Sequence, residues 1–210
     1  MRPKIKICGL TREPDIMAVN ATRPEFIGFV FAPQSRRFVP YDKAAELREL
    51  LDPGIIPVGV FVDADMTDII GLAMAGIIEA VQLHGHEDAG YVKALHERIP
   101  KVPVIKALQM DAPADEKQPL IYEADCWLLD TGTGGTGKPF NWRMLDGICR
   151  AGRIGPMPFF LAGGIDEGNL DEALALEPYA IDVSSGVETD GLKDPWKIVT
   201  LISKLRKDLG

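Results

Sequence analysis

The stretch PFFLAGGI at residues 158–165 is followed by a helical pattern over Asp166–Glu177 and then by AIDVSSGV at residues 180–187. Two short apolar runs therefore end in small residues, Gly163-Gly164 in the first and Ser184-Ser185-Gly186 in the second. This pattern indicates a β-α-β unit. Glycine lets the backbone approach an anion closely, and a helix N-terminus after each run would add a favourable dipole. We expect the two turns to hold one phosphate group between them.

The composition is that of a globular chain with an acidic balance. Its 210 residues are 46% hydrophobic and 26% charged, which fits one domain with a sizeable core. A net charge of −8 argues against a nucleic-acid partner or an anionic membrane surface. No apolar run is long enough to span a membrane, and the N-terminus lacks the apolar segment of a signal peptide. Three cysteines without a CxxC spacing favour neither a disulfide framework nor a zinc ribbon, so we expect a cytoplasmic protein.

Short apolar runs alternate with helical patterns along the whole chain. The eight runs are Lys4–Cys8, Phe26–Phe31, Ile56–Val62, Ala80–His84, Val102–Leu108, Cys126–Asp130, Phe159–Ala162 and Ala180–Val183. Strands that alternate with helices predict a parallel sheet, and eight such units in this length fit a closed (β/α)₈ barrel better than an open doubly wound sheet. We therefore predict an α/β protein in which residues 1–210 form a single TIM barrel domain with a C-terminal phosphate-binding site.

The helical patterns lie between these runs. They cover Glu13–Ala21, Tyr41–Leu51, Asp65–Ala75, Glu87–Arg98, Asp115–Ala124, Asn141–Ala151, Asp166–Leu176 and Asp194–Leu209. Asp65, Asn141 and Asp194 are good N-cap residues, and Pro195 suits a first helical turn.

A barrel places its chemistry at the carboxyl ends of its strands. Cys8 ends the first run, and strand alternation puts it on the same inward face as Lys6. Asp130 ends the sixth run, where a general acid or base belongs. A buried cysteine is more often an inert small hydrophobe, and an acid in this place could instead cap a loop, so both alternatives stay open here. Lys6 and Asp182 face inward on adjacent strands, and we expect them to pair because a lone buried charge is costly.

Two histidines and two arginines also follow strand ends. His84 and His86 have no third ligand within reach on the sequence, so no metal site is predicted, and His84 is expected to line the site as a hydrogen-bonding residue. Arg36 and Arg37 would by default be a solvated pair. Beside a phosphate site, however, an arginine fork suits a second anionic group such as a carboxylate.

The segment Gly132–Lys138 has the letters of two nucleotide-binding motifs. It satisfies GxGxxG but lacks a helix that opens at the third glycine and an acidic residue after a following strand. It also fits GxxxxGK, yet Pro139 occupies the position where a P-loop carries the hydroxyl group for Mg²⁺. We interpret the segment as a loop over the sixth strand that closes on a substrate, with a plain connection as the alternative.

Taken in chain order, these segments resemble phosphoribosylanthranilate isomerase, a (β/α)₈ enzyme family. The similar segments are KICGLT (6–11), GFVF (28–31), SRR (35–37), VGVF (58–61), VQLHG (81–85), LLD (128–130), GGTGK (134–138), AGG (162–164) and DVSSGVE (182–188). They run from the first strand to the last, so the resemblance covers nearly the whole chain. Asn141 departs from the family, which usually has aspartate there, and either residue caps a helix well.

The resemblance implies an aldose–ketose isomerase. It would convert N-(5-phosphoribosyl)anthranilate to 1-(2-carboxyphenylamino)-1-deoxyribulose 5-phosphate by an Amadori rearrangement, the third step from chorismate in tryptophan biosynthesis. The family's acid corresponds to Asp130, which would open the ribose ring, and its base to Cys8, which would remove the C2 proton. We expect nearby cations to favour the Cys8 thiolate and partial shielding from water to keep Asp130 protonated.

The resemblance also implies partners for the two anionic groups of the substrate. The phosphate would be bound by Gly163, Gly164, Ser184, Ser185 and Gly186. Arg37, rather than Arg36, would bind the anthranilate carboxylate. No metal or other cofactor is implied, the only expected partner is the phosphoribosyl substrate, and the protein is expected to be a monomer or a homodimer.

Two alternatives remain at this stage. The phosphate site alone would serve another phosphosugar isomerase or lyase on the same barrel. A regulator that binds a phosphometabolite without catalysis would return its ligand unchanged, so a turnover assay separates it from an enzyme.

Overall fold

The computed structural model describes residues 3–109, 123–130 and 157–207. Eight parallel strands close into one barrel in sequence order, with the last strand hydrogen-bonded to the first. The strands are β1 (Lys4–Cys8), β2 (Phe26–Val30), β3 (Ile56–Phe61), β4 (Ala80–Leu83), β5 (Val104–Gln109), β6 (Cys126–Asp130), β7 (Phe159–Leu161) and β8 (Ala180–Val183). The predicted (β/α)₈ barrel is confirmed, and β1, β6 and β8 have the predicted bounds.

Helices connect the strands around the outside of the barrel. Those in the described ranges are α1 (Glu13–Thr22), α2 (Tyr41–Leu50), α3 (Met66–Met74), α4 (Ala89–Arg98), α5 (Leu170–Leu174) and α6 (Pro195–Lys207). Asp65 caps α3 by accepting a hydrogen bond from the Thr67 amide at 2.8 Å, and Asp88 caps α4 through the Tyr91 amide at 2.8 Å. A short antiparallel pair, β9 (Glu188–Thr189) and β10 (Leu192–Lys193), lies between β8 and α6.

The side chains of β1 alternate between two environments, as expected for a strand with two buried faces. Ile5 and Ile7 point outward into the large hydrophobic cluster between the strands and the helices. Lys6 and Cys8 point into the barrel, where Cys8 packs with Val30 at the carboxyl end. The alternation predicted for this strand is therefore confirmed.

Closure of the barrel places residues from the two ends of the chain side by side. Lys6 of β1 is the register partner of Asp182 in β8, and Ile7 is the partner of Val183. Parallel strands in register end at the same rim, so the segments that follow β1 and β8 meet there.

Two predicted helix starts differ from the observed ones by more than one residue. Helix α4 begins at Ala89 rather than at Glu87. Helix α5 begins at Leu170 rather than at Asp166. The Asp166 side chain accepts hydrogen bonds from the amides of Gly168 (2.8 Å) and Asn169 (3.2 Å), and the Asn169 side chain accepts one from the Asp166 amide at 2.9 Å. These local side-chain bonds replace helical ones, which is the usual reason that Asp and Asn precede helices rather than continue them.

Several predicted features lie outside the described residues. They are the Gly132–Lys138 loop, the Asn141–Ala151 helix with Cys149, and residues 115–122 of the Asp115–Ala124 helix. Within the described part of the chain, none of the helices has the length and apolar character needed to cross a membrane.

Candidate active site

A cavity of about 600 Å³ opens at the carboxyl ends of the strands. All of the predicted site residues except Gly186 line it, namely Cys8, Arg37, His84, Asp130, Gly163, Gly164, Ser184 and Ser185. The barrel therefore brings residues from β1, β4, β6, β7 and β8 to one cavity, which is the position that the fold predicts for its chemistry.

Cys8 forms part of the cavity floor with little exposed surface. Gly28 of the neighbouring strand makes room for it, because a Cβ atom at Gly28 would lie 2.6 Å from the Cys8 sulfur. Burial raises the pKa of the Cys8 thiol above its ordinary value of 9.0, and the Lys6 ammonium group offsets only part of this rise. Lys6 thus favours the thiolate, as expected. Burial outweighs this effect, however, so the pKa of Cys8 stays above its ordinary value.

Lys6 has no exposed surface and binds two inward-facing side chains. Its Nζ donates to Asp182 Oδ2 at 2.8 Å and to Gln82 Oε1 at 2.8 Å. Burial alone would lower the pKa of Lys6, but Asp182 and Cys8 raise it above the ordinary value. The predicted Lys6–Asp182 pair is confirmed. It keeps a fixed positive charge beneath Cys8.

Asp130 is partly exposed to the cavity and lies beside His84. The distance from His84 Nε2 to Asp130 Oδ2 is 3.2 Å. The other ring nitrogen of His84, Nδ1, lies 2.8 Å from Gln82 Nε2. His84 is therefore a wall residue with a polar partner on each side, as the sequence predicts.

Arg36 and Arg37 share one carboxylate, that of Glu188 at the start of β9. Arg37 donates from Nε to Oε1 at 2.6 Å and from Nη2 to Oε2 at 3.0 Å, and Arg36 reaches Oε2 at 2.8 Å. Arg37 is the more enclosed of the two, with 21% of its side chain exposed against 60% for Arg36. Both arginines line the cavity, and the choice of Arg37 over Arg36 as the carboxylate ligand stays a prediction.

Glu188 also holds Lys193, so that one carboxylate orders three cations. Lys193 Nζ lies 2.5 Å from Glu188 Oε1 and donates to the Ser184 carbonyl oxygen at 2.9 Å. Burial by itself would raise the pKa of Glu188, but hydrogen bonds from Arg37 and Lys193 bring it below its ordinary value. Burial lowers the pKa of Lys193, and Glu188 counteracts only part of that effect.

The two small-residue turns lie next to each other at the rim. Gly163 and Gly164 follow β7 with φ of 99° and 66°, values that favour glycine. The Ser184 hydroxyl donates to the Cys8 carbonyl oxygen at 3.0 Å and so ties the end of β8 to the end of β1. Gly186 does not line the cavity; its Cα faces the backbone of Ile165 so closely that a Cβ would collide with it. The absence of a side chain at Gly186 thus lets the two turns pack directly against each other.

Three features of the site were not predicted from the sequence. Gln82 links Lys6 to His84. Residues two apart on a strand share a face, so the spacing between Gln82 and His84 indicated that Gln82 also points inward. Glu188 and Lys193 form ion pairs across the rim, and only Glu188 lay within a recognised segment. Gly9 has φ of 83°, and a Cβ there would collide with the Arg37 side chain.

The histidines do not gather into a metal site in the described ranges. His86 pairs with Asp63, with 2.9 Å between His86 Nδ1 and Asp63 Oδ2, and is almost fully exposed. No group of three His, Cys, Asp or Glu side chains that could hold a metal ion occurs among residues 3–109, 123–130 and 157–207. Cys126, at the amino end of β6, donates to the Pro158 carbonyl oxygen at 2.9 Å, and burial raises its pKa to about 12.

The cavity therefore combines a thiol, a carboxyl group and anchoring points for anions. The thiol and the carboxyl group come from different strands and can act on different atoms of one substrate. The glycine and serine turns offer backbone N–H groups, and Arg37 offers a guanidinium group. This arrangement suits proton transfer on a phosphorylated substrate with a second anionic group.

Comparison with known proteins agrees with this chemistry. The profile of the family described as N-(5′-phosphoribosyl)anthranilate (PRA) isomerase matches residues 5–204. An N-(5′-phosphoribosyl)anthranilate isomerase from Endomicrobium trichonymphae is 44% identical over 209 residues, which cover 97% of this chain and 98% of that protein.

Solved structures give the same result. The phosphoribosyl anthranilate isomerase of Thermus thermophilus superposes with a TM-score of 0.84 at 35% identity, over 99% of this chain and 100% of the other. A phosphoribosyl anthranilate isomerase in complex with reduced 1-(o-carboxyphenylamino)-1-deoxyribulose 5-phosphate superposes with a TM-score of 0.82 at 31% identity, over 97% of this chain and 98% of the other.

Proposed function

The chain belongs to the N-(5′-phosphoribosyl)anthranilate isomerase family, and from this membership we propose that Cys8 and Asp130 divide the acid–base chemistry of its reaction. The protein is an isomerase of tryptophan biosynthesis that converts N-(5′-phosphoribosyl)anthranilate to 1-(2-carboxyphenylamino)-1-deoxyribulose 5-phosphate. Family membership selects this activity over another phosphosugar isomerase or lyase and over a non-catalytic regulator. The observation that carries the proposed roles is the presence of both side chains in one cavity, together with the glycine and serine turns after β7 and β8.

In the first step Asp130 gives its proton to the ribose ring oxygen. The bond between that oxygen and C1 breaks, and the nitrogen lone pair forms a Schiff base with C1. In the second step the Cys8 thiolate takes the proton from C2, and the electron pair moves into a C1–C2 double bond, which gives an enolamine. Protonation at C1 and loss of the hydroxyl proton at C2 then produce the ketone. The first two steps each move a proton between the substrate and a side chain, the last is a tautomerisation of the substrate, and no bond forms between the enzyme and a carbon atom.

The environment of Cys8 supports its role as base. Burial raises the pKa of Cys8 above the ordinary value, so the thiolate is a minor form at neutral pH, and it is a strong base where it forms. Lys6 carries a fixed charge held by Asp182 and lowers the cost of the thiolate beside it. The enclosed position of the sulfur keeps water away from the intermediate.

The anion-binding groups support the orientation of the substrate. We infer that Gly163, Gly164, Ser184 and Ser185 bind the phosphate, with Gly186 supporting the turn, and that Arg37 binds the anthranilate carboxylate. Because Glu188 fixes the Arg37 guanidinium group through Nε and Nη2, the substrate meets a preorganised cation. His84 would line the space between the two ends.

Replacing either acid–base residue tests these roles. Cys8→Ala and Asp130→Asn should each lower kcat by about 10²- to 10⁴-fold, because general acid–base catalysis contributes that much. Both variants should still bind the reduced product analogue, since the phosphate and carboxylate sites remain. Cys126→Ala is the matched control, because this buried thiol lies at the other end of the barrel. Near-normal kcat in Cys8→Ala or in Asp130→Asn would refute the role given to that residue.

The remaining expectations stay predictions. We propose that residues 1–210 act as one barrel domain in the cytoplasm, without a metal or other cofactor and without a nucleic-acid partner. The oligomeric state is expected to be monomer or homodimer, and light scattering of the purified protein would decide between them.

A further inference from the structure

We propose that Gln82 and His84 act as positioning residues that fix which oxygen of Asp130 carries the acid proton. This inference rests on the proposed role of Asp130. It follows from a continuous set of contacts that runs from Lys6 through Gln82 and His84 to Asp130, all on the inner surface or at the rim of the barrel.

Lys6 determines the orientation of the Gln82 amide. An ammonium group can only donate hydrogen bonds, so the Gln82 atom that lies 2.8 Å from Lys6 Nζ must be the oxygen Oε1. Gln82 is 2% exposed, so its amide makes little contact with water. Its nitrogen Nε2 therefore points the other way, toward His84.

The amide in turn determines the tautomer of His84. Gln82 Nε2 can only donate, and it lies 2.8 Å from His84 Nδ1. His84 Nδ1 must therefore accept, which it can do only without a proton. The ring proton of neutral His84 is placed on Nε2.

That proton points at the proposed acid. His84 Nε2 lies 3.2 Å from Asp130 Oδ2, so the N–H can donate to this oxygen. In a protonated carboxyl group the carbonyl oxygen is a better acceptor than the hydroxyl oxygen, so the oxygen that accepts from His84 is disfavoured as the site of the acid proton. The proton that Asp130 delivers to the substrate is consequently carried on Oδ1. The buried ammonium group of Lys6 thus determines, through Gln82 and His84, which oxygen of Asp130 carries the proton.

The backbone around His84 is held firmly enough for this purpose. The His84 amide donates to the Phe61 carbonyl oxygen at 2.8 Å. Glu87 accepts from the Gly85 amide at 2.9 Å, and Lys106 donates to both the Gly85 carbonyl oxygen and Glu87 at 2.7 Å. Glu87 and Lys106 are both buried, so this second ion pair fixes the turn that carries the imidazole.

The test combines nitrogen-15 NMR of the imidazole rings with kinetics. The chain has three histidines, so the His84 signals can be assigned with a His84→Gln variant. In the wild-type protein we expect His84 to be protonated on Nε2. In Gln82→Glu, position 82 can only accept, so the His84 proton should move to Nδ1 and kcat should fall by up to about 10²-fold with little change in affinity for the product analogue.

A pair of substitutions at His84 keeps the proposal testable if Gln82→Glu fails to fold. His84→Gln retains an N–H donor near the Nε2 position and should keep most of the kcat, whereas His84→Leu should lose it. His96→Leu is the control, because His96 contacts Asp125 away from the cavity. A purely structural role would not separate Gln from Leu in kcat at equal thermal stability.

Three results would overturn the proposal. They are a wild-type His84 that carries its proton on Nδ1, an unchanged tautomer in Gln82→Glu, and equal kcat in His84→Gln and His84→Leu. None of them affects the assignment of Asp130 as the acid, which would fail separately through an active Asp130→Asn.

Discussion

At the scale of single residues, the inner surface of the barrel shows how much a strand pattern can predict. Alternation along β1 placed Lys6 and Cys8 inside, and the cost of a lone buried charge predicted the pairing of Lys6 with Asp182. Both follow from local rules that need no knowledge of the rest of the chain.

Other contacts at the rim could not be predicted in this way. Glu188 binds Arg36, Arg37 and Lys193, although more than 150 residues separate Glu188 from Arg37 along the chain. No periodicity relates the loop after β2 to the hairpin after β8. Only closure of the barrel brings them together, so the choice of Arg37 came from the resemblance to a family.

The protonation of Cys8 gives a prediction at the same scale. Because burial raises its pKa above 9.0, the thiolate fraction should increase as the pH rises through a value above 9.0. The rate of the proton-abstraction step should rise over the same interval, since only the thiolate accepts the C2 proton. Thiolate absorbance of the wild type, corrected by that of Cys8→Ser, measures this pKa. Cys126 should not obscure the signal, because its pKa is about 12.

A Cys8 midpoint below the ordinary thiol value would contradict this prediction. It would mean that Lys6 and Lys193 outweigh burial and that the sulfur rests as a thiolate. The roles of base and acid would be unaffected, but the alkaline rise in rate would be absent.

At the scale of elements, the turns after β7 and β8 lie side by side, and we propose that they form the phosphate site together. The two turns could be predicted from the glycine and serine residues at two strand ends. The start of α5 could not be predicted, because Asp166 and Asn169 exchange hydrogen bonds that replace the first helical turn. A pattern of apolar residues fixes where a helix can pack, whereas competition by short polar side chains decides where it begins.

A substitution at Gly186 tests the role of these turns. Gly186→Ala should raise KM for the phosphorylated substrate and lower Tm, because the added methyl group would push the β8 turn away from the backbone of Ile165. Proton transfer should be less affected, so kcat should change less than KM. Steady-state kinetics and thermal unfolding measure both effects.

Gly71→Ala is the matched control for that substitution. Gly71 lies in α3, and a Cβ there would have no neighbour within 4 Å. It should leave KM unchanged and stabilise the helix slightly, by up to about 1 kcal/mol. An unchanged KM in Gly186→Ala would argue that the β8 turn does not contact the phosphate.

At the scale of the whole molecule, an acidic protein binds a substrate with two anionic groups. The net charge of −8 would by itself repel such a substrate. The barrel compensates locally by bringing Lys6, Arg36, Arg37 and Lys193 to one rim and cavity, each held by a buried carboxylate. The number of βα units predicted this architecture from the sequence, but the way in which it concentrates cations could be seen only in the closed barrel.

The division of labour between Cys8 and Asp130 is the central claim, and a kinetic isotope effect tests it most directly. Deuterium at C2 of the substrate slows only the step in which that bond breaks. Relative to the wild type, Cys8→Ser should show a larger isotope effect on kcat/KM, because proton abstraction becomes the slowest step. Asp130→Asn should show an effect near unity, because ring opening then limits the rate. The reverse pattern, with the isotope effect enlarged in Asp130→Asn and lost in Cys8→Ser, would contradict the account.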